Sequence, residues 1–125
     1  MIGKEDLLHK NFASHIKTLQ QFNKLHCLYW SYDASGEYRK KTTASLLKAK
    51  GLMKGKPDYE FITECHPQLS FSYTIYIEFK VKPNKQSKEQ KQFQENCKKT
   101  GNLKYYLCYS VDEALDALKE WGIIK

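Results

Sequence analysis

The sequence predicts an α/β fold in which helices flank a mixed central β-sheet and the elements follow the order αβαββαβα. Apolar residues recur at helical spacing near the N-terminus, and residues 73–81 alternate apolar and polar side chains with a period of two. Two capping boxes, at Ser87 and Ser110, mark the starts of later helices. Because 125 residues can bury one core, we expect residues 1–125 to form a single domain.

The first half of the chain is predicted to contain a long helix, a strand and a short helix. The long helix covers residues 4–25, where five apolar residues would form one buried stripe: Leu8, Phe12, Ile16, Leu19 and Phe22. A strand over residues 26–31 follows, and a short helix over residues 42–50 ends at Gly51. His15 lies beside the stripe, so we expect a partly buried side chain there and not a metal ligand.

The middle of the chain is predicted to form an antiparallel hairpin of residues 58–65 and 73–81, because Pro67 and its polar neighbours supply a turn. Alternation in the second strand assigns four side chains to the core: Ile75, Ile77, Phe79 and Val81. A helix over residues 87–100, a strand over residues 105–109 and a helix over residues 110–121 complete the chain. The last strand joins the sheet through the preceding helix.

Two carboxylates and a lysine are predicted to meet in this hairpin. The expected register pairs Asp58 with Lys80 and leaves Asp58 diagonal to Glu78, with roughly 7–8 Å between their Cα atoms. Mg²⁺ takes oxygen ligands, so Asp58, Glu78 and the main-chain carbonyl of Phe79 are predicted to hold it against a phosphodiester. The metal would activate a water, and Lys80 would orient that water and stabilise the transition state. On pattern alone, an ordinary Asp58–Lys80 ion pair explains the same residues.

Three ordered motifs resemble the VRR-NUC (virus-type replication-repair nuclease) branch of the PD-(D/E)XK nuclease superfamily. They are Gly55-Lys56-Pro57-Asp58, Glu78-Phe79-Lys80 and Ser87-Lys88-Glu89-Gln90. The similarity extends from about Gly51 to Trp121, although the stretch of residues 63–72 is longer than in compact members. The resemblance implies a restriction-endonuclease-like core and Mg²⁺ as cofactor, with Mn²⁺ as a substitute. Hydrolysis would leave a 5′-phosphate and a 3′-hydroxyl.

The resemblance also implies two supporting residues in the catalytic site. It places the glutamine of the third motif, Gln90, beside the metal, although Ser87 and Gln90 equally satisfy a helix capping box. Nucleases of this type often place a glutamate of the N-terminal helix near the metal, and Glu5 is the candidate. Glu5 and Asp6 would alternatively favour the positive end of the helix dipole.

The positive charge is concentrated before the predicted site. Residues 1–56 contain 11 basic and 4 acidic residues, whereas residues 57–125 contain 10 of each, so the first segment carries the whole net charge of +7. Basic residues flank the two acids and are predicted to bind phosphates: Arg39, Lys40, Lys41, Lys54, Lys56, Lys82 and Lys85. A solvated lysine-rich surface is the alternative. The aromatic residues at 28–32 would stack on an unpaired base, line a dimer contact or pack in the core.

The remaining sequence features limit the cofactor and the compartment. Four cysteines without a C-x-x-C pair indicate reduced thiols and neither a disulfide nor a zinc framework: Cys27, Cys65, Cys97 and Cys108. Without a signal peptide or a membrane-spanning stretch, the chain is expected to be intracellular and not secreted.

The sequence thus predicts a Mg²⁺-dependent, structure-specific DNA endonuclease. By resemblance, the substrate is branched DNA such as a four-way (Holliday) junction or a flap, the process is DNA repair, and the enzyme is a homodimer that addresses two strands. Specificity comes from its own surface or from a protein partner. The alternatives are a non-catalytic nucleic-acid-binding module on the same fold and an RNA-directed nuclease.

Overall fold

The computed structural model describes residues 3–34, 41–64 and 71–124, and the elements follow the predicted order αβαββαβα. The elements are α1 (Lys4–Gln21), β1 (Tyr29–Tyr32), α2 (Lys41–Ala49), β2 (Tyr59–Ile62), β3 (Thr74–Phe79), α3 (Lys88–Cys97), β4 (Leu103–Cys108) and α4 (Val111–Glu120). The predicted hairpin turn at Pro67 falls outside the described residues. Ser87 and Ser110 both form the predicted capping boxes, which begin α3 and α4.

Within the described residues, the strands form a four-stranded mixed sheet in the order β1-β2-β3-β4. Antiparallel pairing joins β1 to β2 and β2 to β3, whereas β3 and β4 are parallel. Parallel neighbours require a crossover connection, and α3 supplies it. The prediction of a mixed sheet whose last strand connects through this helix is confirmed.

One face of the sheet carries the hydrophobic core. Ile75, Ile77 and Phe79 of β3 are fully buried in a cluster that includes Phe12 of α1 and Leu118 of α4. The Phe12 and Phe79 rings meet edge to face with their centroids 5.1 Å apart. Burial of each such side chain contributes about 1.5–3 kcal/mol. The predicted core face is thus confirmed for these three β3 residues.

The other face of the sheet is covered by α3. Phe93 of α3 packs edge to face on Tyr76 of β3 with a centroid separation of 5.0 Å. It also contacts Tyr105 of β4. Helices therefore flank both faces, and Glu78, which alternates with the core residues of β3, points to the α3 side.

Three details of the predicted burial pattern differ from the structure. Phe22 is 63% exposed, because α1 ends at Gln21 and Phe22 is its C-cap residue. Val81 is only partly buried, since β3 ends at Phe79. His15 is exposed and not partly buried.

Three cysteines of the described part of the chain form no disulfide there: Cys27, Cys97 and Cys108. Cys65 lies outside the described residues. No helix in the described ranges is both long enough and apolar enough to cross a bilayer.

Candidate catalytic and metal-binding site

The observed register of the hairpin differs from the predicted one. Tyr59 of β2 pairs with Ile77 of β3, so Asp58, the residue before β2, lies level with Glu78 and not with Lys80. The prediction that Asp58 is opposite Lys80 and diagonal to Glu78 is wrong by two residues. Because side chains alternate with a period of two, a register shift of two residues leaves every side chain on the same face of the sheet. The pattern of buried residues therefore cannot distinguish the predicted register from the observed one.

Asp58 is held in place by backbone groups on both sides. Its Oδ2 accepts a hydrogen bond of 2.8 Å from the backbone N–H of Phe79. Its carbonyl oxygen accepts another of 2.8 Å from the N–H of Asp33, just after β1. The carboxylate therefore lies at the end of the sheet, and it is partly exposed to solvent.

Glu78 is the only acidic residue among the buried side chains of the described chain, and it is 1% exposed. Its Oε1 has no hydrogen-bond partner among the described residues. The pKa of Glu78 is raised to about 9, mainly because the side chain is buried and next because the negative charge of Asp58 lies beside it. An unpartnered carboxylate oxygen in such an environment is costly. The register has thus brought the two predicted acids into direct interaction.

Lys80 and Glu5 complete the charged group around Glu78. The positive charge of Lys80 opposes the rise in the pKa of Glu78, and the negative charge of Glu5 adds to it, although both effects are smaller than that of Asp58. Lys80 is anchored by a 3.0 Å hydrogen bond from its backbone N–H to the carbonyl oxygen of Cys108. Four of the five predicted catalytic residues therefore interact electrostatically at one end of the sheet.

His9 is a neighbour of this site that the sequence analysis did not assign. Its Nε2 lies 3.8 Å from Oδ2 of Asp58, and its Nδ1 lies 3.2 Å from the hydroxyl of Tyr59. The signal was present in the first helix, because Glu5 and His9 precede Phe12 at spacings of seven and three residues, on the same helix face. That face packs on the sheet and brings His9 to Asp58.

Tyr105 of β4 is a second unassigned neighbour. Burial raises the pKa of its hydroxyl, and the negative charges of Glu78 and Asp58 add to that rise. Its hydroxyl accepts a 3.0 Å hydrogen bond from Nε2 of Gln86. Tyr105 pairs with Tyr76, two residues before Glu78, so the alternation of side chains along the strands places Tyr105 and Glu78 on the same face of the sheet.

The predicted supporting residue Gln90 is engaged in the helix cap. Its Oε1 accepts a 2.8 Å hydrogen bond from the backbone N–H of Ser87, and its own N–H donates to Oγ of Ser87 at 3.1 Å. The structure therefore does not bring the Gln90 side chain to the two acids. The capping alternative is the arrangement observed.

Ser87→Ala and Gln90→Ala are each expected to lower the free energy of unfolding by about 1 kcal/mol, because each removes one of the reciprocal cap bonds. Urea denaturation followed by circular dichroism measures the loss, with the exposed Lys91→Ala as the matched control on the same helix. Stability equal to wild type in both variants would contradict a stabilising cap.

The structure describes the side chains of four of the seven predicted phosphate-binding residues. Lys54, Lys82 and Lys85 are exposed. Lys56 is also exposed, but its Nζ lies 3.7 Å from Oε2 of Glu60 in an ion pair. Three further predicted contacts cannot be placed because they involve side chains outside the described set: Arg39, Lys40 and Lys41.

The residues present suit a hard divalent cation held by few protein ligands. Asp58 and Glu78 supply carboxylate oxygens, and the unpartnered Oε1 of Glu78 is a buried acceptor that requires a partner. In the described ranges, no group of three or more His, Cys, Asp and Glu side chains is arranged to hold a metal. Mg²⁺ commonly takes only one or two protein carboxylates, and waters and substrate phosphate oxygens complete its shell.

Comparison with known proteins adds no relative: no protein-family model, curated protein or solved structure matches the chain.

Proposed function

We propose that the protein is a Mg²⁺-dependent endonuclease of the VRR-NUC type that hydrolyses phosphodiester bonds in branched DNA, such as four-way junctions or flaps. The proposal includes a restriction-endonuclease-like core, for which the mixed sheet and the crossover through α3 are the supporting features. Mn²⁺ is expected to replace Mg²⁺.

The buried Glu78 side chain beside Asp58, with its Oε1 lacking a hydrogen-bond partner among the described residues, is the observation that carries this proposal. Two interacting acids in a partly buried site destabilise the fold unless a proton or a cation neutralises them. An ion pair for stability alone would not require the second acid. Asp58, Glu78 and the carbonyl oxygen of Phe79 would hold Mg²⁺, which when bound neutralises phosphate charge and lowers the pKa of a water.

The other residues of the site have separate roles in this proposal. Lys80 places a positive charge next to the acids, where it would orient the attacking water and stabilise charge on the phosphate. His9 is positioned to fix the orientation of the Asp58 carboxylate. Glu5 is retained as a further acid, and Gln90 would act only if its side chain left the cap at Ser87.

Substrate binding is assigned to the lysines around the site. Lys54 precedes Asp58, and Lys82 and Lys85 follow Lys80, so positive charge flanks the acids on both sides along the chain. Phosphate contacts of this kind give affinity without sequence preference. A homodimer would address two strands of a junction, and a protein partner would add targeting.

A cleavage assay tests the proposal directly. Purified protein is incubated with labelled linear, flap, bubble and four-way-junction DNA, and with RNA, in Mg²⁺, Mn²⁺ or EDTA. We expect metal-dependent cleavage of branched DNA that vanishes in Asp58→Ala and in Lys80→Ala, because these variants remove a ligand and the catalytic cation. Asp116→Ala and Lys119→Ala on the exposed side of α4 are matched controls and should cleave normally.

Other results of this assay would select the alternatives. Tight binding without cleavage in any metal, in wild type and variants alike, would identify a non-catalytic nucleic-acid-binding module. Metal-dependent cleavage of RNA but not of DNA would identify an RNA-directed nuclease at the same site. Cleavage that persists in Asp58→Ala would remove the metal site from the mechanism.

A further inference from the structure

A cavity of about 610 Å³ lies between α1 and β1, on the core side of the sheet. Its lining includes His9, Lys10 and Lys17 from the helix, Trp30 and Tyr32 from the strand, and Tyr59 beneath them. Binding sites for small ligands have volumes of roughly 300–1,000 Å³, so the cavity is large enough for a nucleotide. The proposed catalytic chemistry assigns no role to it.

The aromatic side chains give the cavity flat walls held in place by the core. The Trp30 indole stacks on the buried Phe61 with an interplanar angle of 11° and a centroid separation of 6.0 Å. The Tyr32 ring packs on Tyr59 at 5.2 Å but remains 40% exposed. Nucleobases of any kind stack on accessible aromatic side chains, and Tyr32 is exposed while Trp30 is partly exposed beside it.

The helix side of the cavity supplies positive charge. Lys10 and Lys17 are exposed and seven residues apart, so both lie on one face of α1, separated by about 10 Å along the helix axis. Asp6 is the one acidic residue in the described lining. Cations beside aromatic walls complement a nucleotide, which joins a flat base to an anionic phosphate.

The cavity borders the candidate catalytic site. His9 lines the cavity, and its Nε2 is 3.8 Å from Oδ2 of Asp58. The end of β1 is tied to the same place, because the backbone N–H of Asp33 donates to the carbonyl of Asp58. A strand that entered the cavity would therefore pass close to Asp58.

We infer that this cavity binds one unpaired nucleotide of a single-stranded segment and thereby positions the adjoining phosphodiester at Asp58 and Glu78. The inference rests on the proposed function, in which Asp58 and Glu78 form the cleavage site. Nucleotide binding in the cavity does not itself require cleavage. A flap or the strand at a junction branch supplies such a nucleotide, whereas an uninterrupted duplex keeps its bases stacked.

Tryptophan fluorescence in EDTA tests binding without catalysis. The chain has two tryptophans, and Trp121 lies away from the cavity against Tyr73, so Trp121→Phe leaves Trp30 as the single reporter. Titration with single-stranded oligothymidylate should quench Trp30 fluorescence, and blunt duplex of equal length should bind more weakly. Circular dichroism verifies that every variant remains folded.

Substitutions in the Trp121→Phe background test the two halves of the cavity. Tyr32→Ala should weaken oligothymidylate binding about tenfold through lost stacking. The Lys10→Ala/Lys17→Ala double variant should reduce the slope of log affinity against log salt by about 1.4. Lys119→Ala on α4 is the control and should change neither quantity. Wild-type affinity and salt slope in both cavity variants would overturn the inference.

Two further outcomes separate this inference from the proposed function and from another occupant. One outcome is that Tyr32→Ala and the double lysine variant cleave flaps normally while Asp58→Ala does not. It would contradict nucleotide binding in the cavity and support the proposed nuclease activity. Another outcome is that Tyr32→Ala loses oligothymidylate binding while neither the wild type nor any variant cleaves DNA. It would support nucleotide binding in the cavity and contradict the proposed nuclease activity. A nucleic-acid-free dimer that Tyr32→Ala dissociates in sedimentation would assign the cavity to a second copy and overturn the inference.

Discussion

Glu78→Gln is expected to abolish metal-dependent cleavage while it stabilises the metal-free protein at neutral and alkaline pH. Glutamine keeps the shape of the side chain but cannot become an anion. The variant therefore loses one of the two proposed metal ligands, and the loss of several kcal/mol of transition-state stabilisation should lower the cleavage rate by about a thousandfold or more. It also removes a buried carboxylate that interacts with the negative charges of Asp58 and Glu5.

The pH dependence of this stabilisation follows from the direction of the pKa shift. The folded-state pKa of Glu78 is raised to about 9 from its ordinary value of 4.5, so the folded protein holds a proton that the unfolded chain releases between these values. The contribution of Glu78 is fully present below its unfolded pKa and is lost as pH rises through its folded pKa. In wild type, each unit of pH between these two pKa values therefore lowers the free energy of unfolding by at most about 1.4 kcal/mol.

Urea denaturation in EDTA at a series of pH values measures this effect as the difference between Glu78→Gln and wild type. The free energy of unfolding of Glu78→Gln should exceed that of wild type by an amount that grows from about pH 5 to about pH 9. Glu95→Gln is the matched control, because Glu95 is exposed on α3 in an ion pair with Lys98 and contributes little. A difference that does not change with pH would show that Glu78 titrates normally.

Gly55→Ala is expected to lower the free energy of unfolding by about 2–6 kcal/mol. Gly55 has φ +92°, which an alanine rarely adopts, and an added Cβ would lie 2.6 Å from the backbone oxygen of Glu89 in the first turn of α3. Backbone strain and steric overlap each cost about 1–3 kcal/mol. Gly55 thus allows the loop before Asp58 to approach α3 closely.

Alanine substitutions at two other glycines separate the cost of backbone strain from the cost of steric overlap. Gly51 has φ +105° but open space around its Cβ position, so Gly51→Ala should show the strain alone. Gly101 has open space and no positive φ in the strained range, so Gly101→Ala should be neutral or slightly stabilising. Denaturation midpoints that rank Gly55→Ala as no worse than Gly51→Ala would exclude the predicted overlap with Glu89.

Local patterns were sufficient for the order of the helices and strands. Ser87 and Ser110 marked helix starts because a capping box is a short-range interaction, written within four residues. The role of Gln90 was ambiguous for the same reason, since the cap and a catalytic function require the same side chain. The structure shows the cap bond.

The amino-acid pattern alone specified the αβαββαβα order, the core face of β3 and the placement of Asp58, Glu78 and Lys80 at one sheet end. Those features depend on periodicity and on local propensity, which neighbouring residues encode. The register between β2 and β3, the burial of Glu78 and the approach of His9 to Asp58 required the folded chain. They depend on which residues distant in sequence become neighbours, and registers two residues apart bury the same side chains.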